Sequence, residues 1–328
     1  MNANTSVSHG KGRVRVDALK IMLLAILFIT VGFFTAMNPR YFSWRNFLYL
    51  LIQNSFIIIA GCGVTLLMVA GYIDLSVGST LVLSGVVYAY FCRAGLSVGV
   101  SMLIAVAVGT LVGYLNAVMI IKLKITPFIA TLGTMYLGRG ISYVVAGDLL
   151  VIREGLPKSF PYIGNEYIGP VPIVVVVMLG VLALFLVLER TSVLGKYSVA
   201  IGGNKTAAIL SGINADGIVQ ALYVICGTLS AISGVFMASR FGTGDPNMGI
   251  GFEFDVIIAV ILGGTSLAGG EGSLVGMIIG SLIIGALANG LKIMNVFTFY
   301  QSVMKGVVLV VAVVIYENLK KRLKARAA

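Results

Sequence analysis

The sequence predicts an all-α polytopic membrane protein of about ten transmembrane helices, some of them interrupted. Three observations carry this. Apolar segments of roughly 18–23 residues, almost free of internal charge, follow one another along most of the 328 residues, and about 20 helical residues cross a hydrocarbon core about 30 Å thick. The chain is 59% hydrophobic and 11% charged with a mean hydropathy of +1.03, against about 25% charged in a soluble domain. Its basic residues sit in short runs beside the apolar segments, as in the positive-inside pattern. That accounts for a net charge of +11 without a nucleic-acid partner.

The elements follow in order. An N-terminal arm, 1–17, precedes a transmembrane region, 18–316, and a basic tail, 317–328. The first span, Leu19–Met37, is too long for a signal-peptide core and lacks a clear small-residue cleavage site, so it reads as an uncleaved anchor. Further spans are predicted near Phe47–Val69, Val77–Phe91, Ser97–Ile121, Thr126–Ala146 and Val171–Leu188. The last four lie near Gly217–Ser239, Val256–Leu267, Leu274–Leu291 and Gln301–Tyr316. Lys11, Arg13, Arg15 and Lys20 before the first span, and Lys320, Lys321, Arg322, Lys324 and Arg326 after the last, place both termini in the cytoplasm. An even number of spans satisfies this. Lys122, Lys124, Arg190, Lys196 and Lys205 then fall inside, whereas Arg40, Arg45, Arg153 and Lys158 dissent.

Cysteine and histidine chemistry contribute little. Cys62, Cys92 and Cys226 are widely spaced within or beside apolar segments and read as small hydrophobes, not as disulfides or metal ligands. The single histidine, His9, lies in the Gly/Ser-rich arm. No nucleophile–base constellation is present, so the chain is not expected to be an enzyme.

Two runs break otherwise apolar segments. Ala70–Ser79 and Gly263–Ser273 each place glycines, hydroxyls and one carboxylate between hydrophobic halves. Paired interruptions point to a transport site, since freed backbone groups at membrane depth must be buried in protein or line a water-filled path. Tight cytoplasmic turns joining two spans are an equal alternative. Small residues at Gly276, Gly280, Gly285, Ala286 and Gly290 recur at helical spacing and predict close helix packing, inside the bundle or at a dimer seam.

Five motifs in order, GYIDLSVGS at 71–79, PFIATLGTM at 127–135, AIGGNKTAAILSGIN at 200–214, GGTSLAGGEGSLVG at 263–276 and GALANGL at 285–291, carry a family resemblance. From about Asn46 to Tyr316 the chain resembles the permease of bacterial ribose/xylose/galactose-type ABC importers, a group that includes autoinducer-2 and inositol permeases. Tyr72 departs from the pattern, since many relatives carry a second glycine there. The resemblance implies an inner-membrane subunit that passes a monosaccharide or related polar solute. Its partners would be an extracytoplasmic binding protein, a cytoplasmic ATPase and a second permease subunit, identical or not.

The chain itself is expected to hold no cofactor. Gly203-Asn204-Lys205-Thr206 is not a phosphate loop, because Asn204 and Val199 occupy the two required glycine positions. In the loop 189–216, Asn204 suits an N-cap, Lys205–Ser211 suits one or two turns, and Gly212 suits a left-handed close. This segment resembles the coupling helix of ABC importers. The resemblance implies that Asn204, Lys205, Ala207, Ala208, Ser211 and Gly212 meet the ATPase.

For the solute path, hydroxyl-binding side chains near the spans are the candidates: Asn54, Tyr72, Asp74, Ser76, Asn116, Thr131 and Asn289. Asp74 is an intramembrane carboxylate and so a site by default. Its alternative role is to cap the helix that follows. Asp245, Glu253 and Asp255, in the glycine-rich loop Phe241–Asp255, would gate the path or meet the binding protein, or belong to a solvated connector. Rival readings are an ion-coupled secondary transporter using Asp74, and an ABC permease for nucleosides or branched-chain amino acids.

Overall fold

The computed structural model describes residues 8–147, 151–297 and part of 299–314. The predicted final span and the tail 317–328 lie largely or wholly outside the described residues. The chain is a helical bundle. Helix α1 (Ser8–Met37) ends at Asn38, whose side chain accepts from Arg40 N and opens a 3-10 turn at Pro39–Phe42. Ser43 caps α2 (Trp44–Val69) by accepting from Asn46 N. Then follow α3 (Val77–Arg93), α4 (Val98–Ile121) and α5 (Pro127–Ala146). A single turn, α6 (Tyr162–Asn165), leads into a two-residue hairpin of β1 (Tyr167–Ile168) and β2 (Val171–Pro172). The remainder comprises α7 (Ile173–Thr191), α8 (Val193–Gly203), α9 (Lys205–Leu210), α10 (Ala215–Phe241), α11 (Phe252–Leu262) and α12 (Leu274–Ile293).

Burial sorts these helices into layers. Nearly every residue of α2 from Ile52 to Val69 is buried, and α10 is buried along most of its length, so these two form the axis of the bundle. Helices α1, α4 and α7 expose most of their apolar surface, as lipid-facing helices do. Among the described residues six helices, α1, α2, α4, α7, α10 and α12, are long and apolar enough to cross a membrane. Helix α3, with 17 residues, is shorter, and α11 has only 11.

Glycine sets the helix spacing. A methyl group at Gly113 or Gly227 would overlap a carbonyl across the α4–α10 contact, and one at Gly234 would overlap Leu81 O of α3. The stripe on α12 serves the same purpose. Side chains at Gly276 and Gly280 would overlap the Gly263 and Ala259 carbonyls beside α11, at Gly285 the Asn54 amide of α2, and at Gly290 the Phe34 ring of α1. The stripe is therefore spent on packing within the chain. Backbones approach this closely because lipid supplies no hydrophobic drive for helices to associate.

The bundle has two polar ends. Segments 70–76, 122–126 and 263–273 cluster with α8 and α9 at one end. The loops 94–97, 151–171 and 242–251 lie at the other, tied by an Ile152–Gly244 bridge and by Asn165 against Ser239 and Arg240.

Candidate functional site

At the α8–α9 end, α2 stops at Ala70 and Gly71 reverses the chain with φ +84°. The chain then enters α3 through an Asx turn. Asp74, only 1% exposed, accepts at Oδ1 from Ser76 N at 2.8 Å and from Ser76 Oγ at 2.6 Å. Ser76 Oγ in turn accepts from Asn116 Nδ2 of α4 at 2.8 Å, and Asn116 Oδ1 accepts from Thr134 Oγ1 of α5 at 2.6 Å. Tyr223 of α10 donates to Ile73 O at 2.9 Å. A buried polar relay, Asp74–Ser76–Asn116–Thr134, thus runs from the interruption through two neighbouring helices. Asp74 closes this turn just ahead of the α3 N-cap, Ser76, so its carboxylate is already engaged locally.

The other path candidates stand apart from this relay. Thr131 is buried one turn before Thr134, with its hydroxyl bonded back to Pro127 O. Asn54 and Asn289 belong to the opposite half, where Asn54 donates to Leu50 O and Asn289 donates to Asn46 Oδ1 at 2.8 Å. Asn289 thus ties α12 to α2, while the Asn54 bond stays within α2 and its amide packs against Gly285 of α12. Tyr72 faces α9 instead, and its phenolic oxygen accepts from Lys205 Nζ at 2.8 Å.

Helix α9 is built as its sequence suggests, whereas α8 occupies residues read from the sequence as loop. Ser192 caps α8, Asn204 Oδ1 accepts from Ala207 N at 3.0 Å, and Gly212 closes α9 with φ +83°. Asn204, Lys205, Ala207, Ser211 and Gly212 are exposed. Ala208 is a correction. At 5% exposure it packs with Ile201 and Ala215 inside the chain, because α9 must turn one face to the bundle. The outward face instead carries Ile209 at 51% and Leu210 at 83% exposure, an apolar tip on a polar base. Lys205 also pairs with Asp216 at 3.4 Å. The hydrogen bond to Tyr72 raises its pKa above the ordinary lysine value, outweighing partial burial, with Tyr72 and Asp216 adding to the effect. It is cationic at neutral pH.

At the opposite end the loop 242–251 runs along α3. Arg139 of α5 holds it, donating from Nη1 to Pro246 O and Met248 O at 3.0 and 2.9 Å and from Nη2 to Gly249 O at 3.5 Å. Asp245 Oδ1 accepts from Asn247 N and Nδ2 within the loop. Glu253 is a second correction. It is 5% exposed, lodged against Gly78 at the start of α3, and presents no surface to a partner. The loop descends beside α3 and starts α11 within the bundle, which draws the carboxyl inward. Asp255 lines a cavity of about 240 Å³ with Tyr49, Gln53, Phe56, Arg240 and Phe252.

Thr134, Arg139, Gln53 and Arg240 were not singled out in the sequence. Thr134 shares the α5 face of Thr131, three residues on, and an arginine amid an apolar span is itself a signal of function. Among the described residues no cluster of three or more His, Cys, Asp or Glu could hold a metal ion, and the three cysteines are unpaired and buried.

Comparison with known proteins agrees with this architecture. Residues 46–313 match the model of the branched-chain amino acid transport system / permease component family. The ribose import permease protein of Haemophilus influenzae is 36% identical over 316 residues, spanning 95% of this chain and 97% of the relative. The ribose import permease protein of Bacillus subtilis is 37% identical, spanning 88% and 90%. The D-allose transport system permease protein of Escherichia coli is 35% identical, spanning 90% and 91%. No solved structure matches the chain. With a family model spanning most of its length and three relatives covering nearly all of it, the chain belongs to this family of transport-system permease components, as a multi-pass inner-membrane protein.

Proposed function

We propose that the chain is the membrane-spanning subunit of an ATP-binding-cassette importer, passing a monosaccharide handed over by an extracytoplasmic binding protein. The observation that carries this reading is α9, a short helix capped at both ends whose exposed apolar tip, Ile209 and Leu210, stands on the end where both interruptions meet. Such a knob suits a groove on a cytoplasmic ATPase, which would bind the ATP. Relatives named for ribose and D-allose support a monosaccharide as the solute.

In this reading the α8–α9 end is cytoplasmic, both termini lie there, and about ten spans cross the bilayer: the six long enough by themselves, then α3, α5 and α11, and the span expected from the sequence at Gln301–Tyr316. A second permease subunit closes the path. The buried relay would then lie near the cytoplasmic end, where hydroxyl and amide groups can exchange partners with a polyhydroxylated solute. Binding along the path must stay weak so that the solute leaves again.

The test joins co-purification with uptake. A tagged chain taken gently from native membranes should bring an ATPase subunit with it, and vesicles should accumulate labelled D-ribose in competition with D-allose but not with leucine. Leucine competition would transfer the chain to the amino-acid branch that the family description names. Uptake driven by an ion gradient without ATP would make it a secondary transporter.

A further inference from the structure

The two interruptions lie nearly two hundred residues apart in sequence, yet they touch, and α8 touches both at the same point. Gly270 N donates to Val69 O at 2.8 Å, joining the second interruption to the end of α2. A side chain at Gly202, near the end of α8, would overlap both Val69 O and Gly270 N. One at Gly269 would come within 2.8 Å of Gly71 Cα and 3.0 Å of Gly202 Cα. Gly71 and Gly269 both have positive φ, so neither position suits another residue. Three backbones therefore meet without intervening side chains.

Contact of this kind resists compression. It transmits a push from α8 but offers little against separation, since van der Waals attraction between a few atoms is small. Tyr72 supplies the missing tension. Its ring packs on the Ile201–Ala208–Ala215 cluster that seats α9, lies edge-on to Tyr223 with centroids 6.3 Å apart, and accepts a charge-assisted hydrogen bond from Lys205 at 2.8 Å. Two residues further on is Asp74, the head of the buried relay. A continuous series of contacts thus runs from the docking helix through Tyr72 to Thr134.

We propose that Tyr72 is the positioning residue through which movement of the α8–α9 unit draws on the first interruption, setting how much solute moves per ATP hydrolysed. This rests on the reading of α9 as the ATPase-docking helix. The glycine contact carries the closing stroke and the Lys205–Tyr72 tie carries the reverse stroke. Without the tie the motor still docks and turns over, but part of its movement is lost before it reaches Asp74.

The experiment uses the full transporter, with its ATPase and binding protein, reconstituted in liposomes. Tyr72→Phe keeps the ring and removes the hydrogen bond; Lys205→Met removes it from the other side. Two quantities are read: ATP hydrolysed per labelled D-ribose moved, and alkylation of an Ile73→Cys reporter with and without vanadate-trapped nucleotide. The second needs no knowledge of the solute. Tyr72→Phe should assemble and melt as the parent does, raise the ATP-to-solute ratio by up to about fivefold, and weaken the response of the reporter to nucleotide. Lys205→Met should likewise raise the ratio and weaken the reporter response, with no further effect of Tyr72→Phe in the double variant. An unchanged reporter response in Tyr72→Phe overturns the inference, as does an effect that adds to that of Lys205→Met. Leu210→Glu serves as the control for docking. If that variant still binds the ATPase, the assignment of α9 fails, whereas an undocked Leu210→Glu beside an unaltered Tyr72→Phe defeats the role of Tyr72 alone.

Discussion

Asn116 donates from Nδ2 to Ser76 Oγ at 2.8 Å while its Oδ1 accepts from Thr134 Oγ1 at 2.6 Å, so one amide satisfies a hydroxyl on either side. Only a residue with both a donor and an acceptor can do this within the space. Asn116→Asp keeps the acceptor, loses the donor and brings a second carboxylate towards Asp74. A buried group left without its partner costs about 1–3 kcal/mol, and more when charged. We expect Asn116→Asp to melt several degrees below the parent in detergent, and to fall below Asn116→Leu. Equal melting of the two variants would mean that the amide is not shared as described.

Gly78 and Glu253 form a steric pair. A methyl group at Gly78 would overlap the Glu253 carboxylate, whose Oε2 is buried without a hydrogen-bond partner. Gly78→Ala must therefore displace the Glu253 carboxylate from its buried seat, at a cost of up to about 1–3 kcal/mol typical of overpacking. Shortening the opposing side chain makes room. Gly78→Ala with Glu253→Ala should recover part of the lost thermal stability, though not all, because Glu253 N would remain 3.1 Å from the new carbon. Losses that simply add in the double variant would refute the contact.

Arg139 holds three carbonyls of the 246–249 backbone with one planar group. Lysine is a point charge on a flexible stem and cannot reproduce that fork. Arg139→Lys should loosen the loop, seen as faster cleavage there by added protease and faster amide exchange at Met248 and Gly249. The α8–α9 end should keep its exchange rates. If both ends change together, Arg139 supports the whole bundle and not the loop alone.

The bundle was legible in the sequence because its signal is additive: twenty apolar residues in a row have few other solutions. The caps were legible for a similar reason, since Asn204 and Gly212 act on their own neighbours. What escaped was set by distance. Nothing local distinguishes Asn54, which bonds back to its own helix, from Asn116, which sits at the centre of the relay; only the fold chooses their partners. Glu253 read as a surface acid because the glycines before it suggested a solvated loop. Those glycines instead let the backbone lie along α3, with Gly244 against Ala89 and Gly249 against Leu81, and that path carries the carboxyl inward. The role of Ala208 depends on which face of a six-residue helix turns to the bundle, and so short a helix has no periodicity to reveal it.

Ala208 and Leu210 make the sharpest test, because two substitutions of the same kind on one helix should fail for different reasons. Ala208→Glu forces a larger, charged side chain into the apolar Ile201–Ala208–Ala215 cluster, at the cost of burying a polar group. The variant should lose thermal stability and yield before docking is even at issue. Leu210→Glu places its charge where the side chain is already 83% exposed, so folding and melting should match the parent. An ATPase groove lined for an apolar tip would then reject it, and co-purification of the ATPase with Leu210→Glu should fall at least tenfold, as about 1.4 kcal/mol suffices for that factor. Melting curves and pull-downs of both variants, read together, separate burial from docking. A stable Ala208→Glu would put that residue back on the outer face of α9, and a docked Leu210→Glu would remove the tip from the interface.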